Sequence, residues 1–384
     1  MITWEQTVES ESLGERTIVG EMCSGITAYR HGRALILKLP DGGFRVLSTG
    51  YHNGGFTDSP DAVVNMGTAG GKLEWVMMGD RETVIAYNNA CFARLGLDPE
   101  KIVAEGTAAN MVNASIGSVI SDDIPVSIAI TAGINGNGGC AGDPASFDEA
   151  ERYIEKNGTI IMLLSVGADL SDTAMLQLMN IMVQAKSCVI QEMQAKSLYS
   201  HRIATGSGTD QIAIISDKHD GMKAVGDISI DSEFARGVVS LLRENLFRAF
   251  EWQANMTPTE QADILVQLSR IGLTMTSIKD EIRFPNRMKD LQEALMELNR
   301  DPYLVAMVTA ILRIYDSIDA GVMDPAQGLD AAKRMALGAL EGRLPENPVY
   351  SLRIEDAATI PEFLSLLCAM VIEYRATEIA EGRR

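Results

Sequence analysis

The chain has 384 residues, 46% hydrophobic and 22% charged, which is typical of a folded protein with one large or two ordinary domains. Its formal net charge of -19 argues against nucleic acid or an anionic membrane surface as a partner, because both bind concentrated lysine and arginine. The first residues lack the basic start and apolar core of a signal peptide, and no apolar run reaches about 18 residues. We therefore expect a cytoplasmic protein without a membrane segment.

Cysteine and histidine are sparse. The five cysteines are scattered and never spaced as C-x-x-C, so neither structural disulfides nor a zinc knuckle is expected. None of the four histidines belongs to an H-E-x-x-H arrangement. We therefore expect no protein-bound catalytic metal.

Short strand patterns open the chain. Residues 17–23, 34–39 and 44–48 are rich in β-branched and apolar side chains, and a Pro-Asp-Gly-Gly turn lies at residues 40–43. This pattern predicts an antiparallel meander.

The last of these strands runs into a first glycine loop, residues 48–56 (STGYHNGGF), which carries amide and imidazole side chains. A solvated loop histidine is the ordinary alternative for His52. The candidate ligand contacts, including Asn65 from the next apolar run, are His52, Asn53, Gly54, Gly55 and Asn65.

Helical patterns follow. The pattern of residues 81–95 predicts a helix that ends at Gly96, and Pro99 follows shortly after this helix end. Residues 104–111 (AEGTAANM) are small and polar enough to line a pocket, although close packing is their ordinary role. A further helix is predicted over residues 147–156.

Two more glycine loops adjoin apolar strands. The strand that starts at Ile124 leads into a loop with five glycines and the polar residues Asn135, Asn137 and Asp143. Residues 205–210 (TGSGTD) precede a β-branched run, and their glycines would let a ligand approach backbone N–H groups. Either loop alone could be a simple turn, but ligands collect where such loops meet at strand ends, so we expect one site.

A long helix over about residues 171–195 carries one cation on its apolar stripe. Val183 and other apolar residues share this stripe at 100° per residue, and Lys186 falls in its middle. A lysine there normally extends to solvent. Alternatively, it could pair with Asp143 or Asp210 at the glycine loops.

The composition changes at about residue 255. Helical patterns without glycine loops fill residues 255–384, so we expect an all-helical carboxyl-terminal domain after an α/β domain of residues 1–254. This extension could form a homo-oligomer, cover the substrate pocket or bind another protein.

With these loops assembled, the chain resembles the adenosylcobinamide amidohydrolase family over roughly residues 15 to 250. The ordered set of motifs is more specific than any single glycine loop. The motifs are residues 47–55 with Asn65, 106–111, 131–135 with 141–143, 158–160, 185–186 and 204–210.

The resemblance implies an α/β fold, with a mixed sheet flanked by helices, and hydrolysis of an amide in corrinoid salvage. The bond would be the one that joins a corrin side chain to aminopropanol, so the products would be adenosylcobyric acid and the amino alcohol. The corrinoid would be the substrate, and no cofactor would be required.

Amide hydrolysis needs a base and donors for the tetrahedral oxyanion. Asp210 or Asp143 is the expected base, which Lys186 would orient, and Thr205 completes the expected catalytic set. The expected substrate contacts are His52, Asn53, Gly54, Gly55, Asn65, Thr131, Asn135, Gly206, Ser207, Gly208 and Thr209.

The chain departs from the family pattern in two places. Residues 183–186 read VQAK instead of TEAK, and residues 226–229 read GDIS instead of G-x-H-T. Gln184 cannot accept a proton as glutamate can, and Ile228 cannot act where an imidazole would.

Two alternatives therefore stay open at this point. The same loops could hold a corrinoid or related tetrapyrrole without hydrolysing it. The chain could also act on another cofactor precursor, with an acyl group captured by Cys23. Cys140 is a further alternative nucleophile, although isolated cysteines are more often inert.

Overall fold

The protein consists of two compact units. One comprises Met1–Tyr199 with Ala204–Thr257, here called the α/β unit, and the other comprises Ser200–Ile203 with Pro258–Arg384, here called the helical unit. The structure, a computed structural model, describes residues 3–40, 42–67, 81–144, 158–282, 288–340 and 353–382.

The α/β unit contains two large mixed sheets. In the five-stranded sheet every neighbouring pair is antiparallel except the last, which is parallel. Its strands, in spatial order, are β1 (Thr17–Glu21), β2 (Thr27–His31), β3 (Ala34–Lys38), β6 (Ala62–Gly67) and β7 (Ile102–Thr107).

The six-stranded sheet has one parallel pair at its centre, β14 with β11, and antiparallel pairs elsewhere. Its strands, in spatial order, are β5 (Gly55–Asp58), β4 (Phe44–Ser48), β14 (Gln211–Asp217), β11 (Thr159–Val166), β9 (Ile124–Gly133) and β8 (Ser115–Ser121). Two short ribbons pair β10 (Gly138–Gly139) with β13 (Gly206–Ser207) and β12 (Asp169–Leu170) with β15 (Ala224–Val225).

The predicted meander is wrong in its last strand. β3 pairs with β2 and β6, whereas β4 belongs to the other sheet. Gly42 and Gly43, with φ of 69° and 70°, adopt the left-handed conformation that glycine favours, so the chain passes into the second sheet. Phe44 and Val46 are then buried between the two sheets.

Helices cover the outer face of each sheet, which gives four layers. α1 (Trp4–Ser10) and α2 (Arg81–Arg94) pack on the five-stranded sheet. α3 (Asp172–Glu192) and α4 (Glu233–Ala254) pack on the six-stranded sheet. The inner faces of the sheets form a third apolar core between them.

Strand β11 shows why this arrangement follows from sequence. Ile161 and Leu163 point into the core between the sheets. Ile160, Met162 and Leu164 point towards the helices. Because both faces are covered, the strand is a continuous apolar run without polar alternation.

Helix α3 places one cation on its buried face. The helix begins after Ser171, whose hydroxyl accepts a hydrogen bond from the N–H of Ala174. Met182 and Lys186 lie on the buried face. Val183, predicted on the same stripe, is instead 41% exposed because one further residue turns it about 100° away from the sheet.

The helical unit has its own apolar core, in which Ile311, Phe363 and Leu364 are fully buried. The predicted α/β fold with a helical extension is confirmed, while the helix predicted at residues 147–156 lies outside the described residues. The described helices of this unit are α5 (Pro258–Gln261), α6 (Ile264–Leu268), α7 (Met275–Glu281), α8 (Met288–Leu298), α9 (Pro302–Asp319), α10 (Pro325–Leu340) and α11 (Ile360–Ala380). Within the described ranges, no helix has both the length and the apolar composition needed to cross a bilayer.

Candidate functional site

Three glycine loops emerge from one edge of the six-stranded sheet, here meaning the edge formed by the ends of its strands. Gly133 at the end of β9 pairs with Thr159 at the start of β11. Ser48 at the end of β4 pairs with Ala213, and β14 begins beside β11 at the same edge. The loops, numbered in chain order, are residues 49–54, 134–144 and 204–210.

The second and third loops are joined through their backbones. The ribbon of β10 and β13 pairs Gly139 with Gly206. The N–H of Thr205 donates to the Gly139 carbonyl at 2.9 Å, and the Thr205 hydroxyl accepts from the N–H of Ala141 at 3.0 Å. Two of the loops that the sequence singled out therefore form one structure.

An ion pair between Lys186 and Asp210 supports the third loop. Nζ of Lys186 lies 2.5 Å from Oδ2 of Asp210, and the two side chains are only 9% and 11% exposed. The Asp210 carboxylate also accepts hydrogen bonds from the N–H of Ile160 and from both the N–H and hydroxyl of Ser207. Because both oxygens are fully engaged, this carboxylate orders the loop and is poorly placed to take a proton from substrate or water.

Gly206 leaves the space that this ion pair occupies. A Cβ atom at Gly206 would lie 2.4 Å from Oδ2 of Asp210 and 2.7 Å from Nζ of Lys186. We expect Gly206→Ala to lower the free energy of unfolding by about 1 to 3 kcal/mol, measured by urea denaturation, because the buried pair must shift. Gly208→Ala is the matched control, since the nearest atom to its Cβ would be Oδ1 of Asn137 at 3.4 Å. Equal losses in the two variants would contradict this explanation.

Asn137, fully buried, links the second loop to the third. Its amide nitrogen donates to Oγ1 of Thr209 at 3.1 Å, and its amide oxygen accepts from the Tyr199 hydroxyl at 3.1 Å. Oγ1 of Thr209 also lies 2.7 Å from that of Thr159. Asn135, the residue favoured by the sequence, is exposed.

Asp143 holds the second loop in its turn. Its Oδ2 accepts from the N–H of Cys140 at 2.7 Å and from the Ser197 hydroxyl at 2.5 Å. Asp143 and Asp210 thus order neighbouring loops, the second and the third.

The first loop is anchored to the segment that enters β7. Nε2 of His52 lies 2.7 Å from the Pro99 carbonyl. The Asn53 amide donates to the carbonyls of Pro99 and Ile102 at 3.0 and 2.8 Å. A Cβ atom on Gly54 would clash with the Gly50 carbonyl at 2.4 Å. The side chains of His52 and Asn53, both expected to contact substrate, therefore bond to the protein backbone.

A buried carboxyl group that was not among the predicted site residues lies beside this loop. Glu105 on β7 is 0% exposed, and its Oε1 accepts a hydrogen bond of 2.6 Å from the Ser48 hydroxyl. Its Oε2 has no hydrogen-bond partner among the described residues. Burial raises the pKa of Glu105 to about 7, outweighing the hydrogen bond from Ser48, which lowers it. A single acidic residue within an otherwise apolar strand was the signal that could have identified it.

Glu105 belongs to a polar cluster between the sheets at the same edge. Asn65 is its register partner on β6, and the Asn65 amide donates to the Thr131 hydroxyl at 2.9 Å. The N–H of Gly106 donates to the Gln211 side chain at 3.1 Å. We call Ser48, Asn65, Glu105, Thr131 and Gln211 the inter-sheet cluster. It contains Asn65 and Thr131, two of the expected substrate contacts.

The two departures from the family pattern lie in different parts of the α/β unit. Gln184 is exposed on α3, one turn before Ser187, whose hydroxyl donates to the Thr205 carbonyl of the third loop at 3.0 Å. Ile228 is buried in the core between the six-stranded sheet and its helices, and its N–H donates to Gln177 at 2.8 Å. The chain reaches Ile228 directly after β15, which pairs with β12 beyond the opposite end of β11. Neither residue contacts Asp210 or Glu105 through any described hydrogen bond.

Of the two thiols considered as alternative nucleophiles, Cys140 lies in the second loop and Cys23 lies elsewhere. Sγ of Cys23 is 3.3 Å from the Ser165 carbonyl and 3.2 Å from its hydroxyl, near the far end of β11. Among the described residues, no three His, Cys, Asp or Glu side chains come together as metal ligands would.

Comparison with known proteins places this fold in a family. A family model described as Adenosylcobinamide amidohydrolase matches residues 20–230, more than half of the chain. The chain belongs to the adenosylcobinamide amidohydrolase family. The match contains all three glycine loops and the inter-sheet cluster, and the helical unit beyond Pro258 lies outside it.

Individual relatives are more distant. An uncharacterized protein of Methanocaldococcus jannaschii, MJ1613, is 29% identical over a 158-residue alignment, which covers 36% of this chain and 60% of that protein. The crystal structure of the PH0078 protein from Pyrococcus horikoshii OT3 aligns with a TM-score of 0.31 and 12% identity, over 63% of this chain and 83% of that chain.

Proposed function

We propose that the protein hydrolyses the amide that joins aminopropanol to the corrin ring in adenosylcobinamide, releasing adenosylcobyric acid and the amino alcohol. Membership of the family supports this reaction. The structural observation that carries the proposal is the convergence of three glycine loops at one sheet edge, beside a buried carboxyl group. The corrinoid is the substrate here, and the proposed reaction uses no cofactor.

The loops supply the means to hold a bulky amide. Glycines let the backbone come close to a ligand, and backbone N–H groups can stabilise the oxyanion of a tetrahedral intermediate. In this proposal the Lys186–Asp210 pair keeps the third loop in the conformation that presents Thr205 and its neighbours. Asp143 does the same for the second loop, where the exposed Asn135 would meet substrate. The remaining proposed substrate contacts are Asn65, Thr131, Gly206, Ser207, Gly208 and Thr209, with His52, Asn53, Gly54 and Gly55 shaping the first loop.

The position of Ile228 favours hydrolysis over simple binding. Ile228 packs in a core at the other end of the sheet, so this substitution removes no group from the proposed site, whereas Gln184 is exposed one turn from Ser187, which bonds to the third loop. We expect Gln184→Glu to change turnover less than about twofold, because Gln184 is exposed and makes no described hydrogen bond to Asp210 or Glu105. Steady-state kinetics with adenosylcobinamide checks this, and a gain of tenfold or more would show that the glutamate of the family pattern takes part in the reaction.

The test of the function is a product assay combined with a binding titration. Purified full-length protein is mixed with adenosylcobinamide, binding is followed by the corrinoid absorbance, and adenosylcobyric acid is measured by chromatography. We expect saturable binding and multiple turnovers. Binding without product would support the non-hydrolytic alternative, and absence of binding would exclude this corrinoid as the ligand. Cys23→Ala serves as a control, since full activity in this variant would exclude acyl capture by the thiol.

A further inference from the structure

The hydrogen bond between Ser48 and Glu105 connects the two sheets at the edge where the glycine loops emerge. Ser48 ends β4 and is 3% exposed, and the first glycine loop begins at the next residue. Glu105 projects from β7 of the opposite sheet, and the two oxygen atoms lie 2.6 Å apart. The pair therefore lies beside the first glycine loop, at the edge of the sheet from which all three loops emerge, without belonging to any of them.

Burying Glu105 costs more free energy than a purely structural link between the two sheets would require. Burying a carboxyl group is unfavourable, and here only one of its two oxygens has a donor among the described residues. A neutral side chain could make the same contact with Ser48 without that cost. A buried polar group that lacks a partner calls for an explanation, and a role in catalysis is one such explanation.

The geometry around Ser48 is that of a nucleophile with its base. The hydroxyl donates to Glu105 and accepts from the N–H of Gly50 at 2.7 Å. A Cβ atom at Gly50 would lie 2.4 Å from the Ala104 carbonyl, so glycine permits this close approach of the loop. A serine becomes nucleophilic when an adjacent base within hydrogen-bond reach can take its proton.

We propose that Ser48 is the nucleophile, and Glu105 its proton acceptor, in the amide hydrolysis of the proposed function, on which this inference rests. Oγ of Ser48 bonds to the amide carbon while its proton passes to Glu105. The C–N bond then breaks as Glu105 returns that proton to the leaving nitrogen, which frees aminopropanol and leaves an ester on Ser48. Water attacks the ester carbon, giving a proton to Glu105. The acid leaves as that proton returns to Oγ of Ser48.

The test measures kcat and corrinoid affinity separately in Ser48→Ala and Glu105→Gln. We expect each variant to lower kcat by at least about 100-fold while Kd for adenosylcobinamide changes less than about threefold. The double variant should be no slower than the slower single one, since the two groups act in one step. Mass spectrometry of the parent, acid-quenched during a single turnover, should show the corrinoid acyl group on the peptide that contains Ser48.

The choice of variants distinguishes a loss of chemistry from a loss of folding or binding. Glu105→Gln preserves the side-chain volume and an acceptor for Ser48, so a folded protein with intact binding is expected. Ser165→Ala is the matched control, because Ser165 is an equally buried hydroxyl between the sheets near the other end of β11, and its kcat should stay within about twofold.

The outcomes separate this inference from the function itself. A parent enzyme that turns over, combined with Ser48→Ala or Glu105→Gln variants within tenfold of its kcat, would overturn the nucleophile and base assignment and leave the function intact. A parent that binds adenosylcobinamide without releasing product would overturn both.

Discussion

Replacing Lys186 with methionine is expected to destabilise the α/β unit by about 3 to 5 kcal/mol, because it leaves the charge of Asp210 buried and uncompensated. The ammonium lies 2.5 Å from the carboxylate, and both side chains are almost excluded from solvent. Urea unfolding at pH 7, followed by tryptophan fluorescence, is the measurement. All three tryptophans precede residue 258, so the signal reports the α/β unit.

The control is an ion pair of the same unit that faces solvent. Nζ of Lys218 lies 2.8 Å from Asp169, with side chains 31% and 41% exposed, so Lys218→Met should cost less than about 1 kcal/mol. Adding Asp210→Asn to Lys186→Met removes the buried charge and should recover part of the loss. If Lys186→Met and Lys218→Met had the same small effect, the Lys186 pair would be screened by water and would not order the third loop.

Glu105 is expected to make the α/β unit less stable as the pH rises from about 4.5 to 7. The pKa of Glu105 is raised by burial from 4.5 to about 7 in the folded protein. Between these values the unfolded chain releases the proton and the folded chain retains it, so each increase in pH favours unfolding. The loss approaches about 3 kcal/mol at and above pH 7, from 1.36 kcal/mol for each pKa unit.

Glu105→Gln removes this titration. The difference in the free energy of unfolding between this variant and the parent should therefore grow by that amount as the pH rises from 4.5 to 8. Urea unfolding of both proteins across the range, again by tryptophan fluorescence, measures the difference. Glu192→Gln is a control of opposite sign. The hydrogen bond from Arg243 lowers the pKa of Glu192, so its stabilisation is present above the unfolded pKa and is lost as the pH falls. Parallel pH profiles for the parent and Glu105→Gln would contradict a buried, protonated Glu105.

The same substitution is therefore expected to raise stability and abolish turnover. A side chain that weakens the fold at working pH and supports chemistry is a usual stability and activity compromise in enzymes. This opposition separates a catalytic role from a structural one, since loss of a purely structural link would lower both quantities together.

Local patterns in the sequence were enough to predict the fold class and the loops. The apolar run of β11 and the helical periodicity of the extension are both properties of short segments. The glycine loops were recognised because glycine marks positions where backbone must turn or be approached closely. Their common edge was expected from general rules of sheet construction, and the structure brings them there.

Tertiary structure alone decided which side chains meet. Ser48 and Glu105 are 57 positions apart and lie on different sheets, and they meet because β4 leaves the first sheet while β7 remains in it. Lys186 could have extended to solvent, but the third loop folds over α3 and brings Asp210 to its ammonium. Sequence spacing carries no information on such contacts, because strand order and the stacking of the two sheets set the distances, and burial then sets the proton affinity of Glu105.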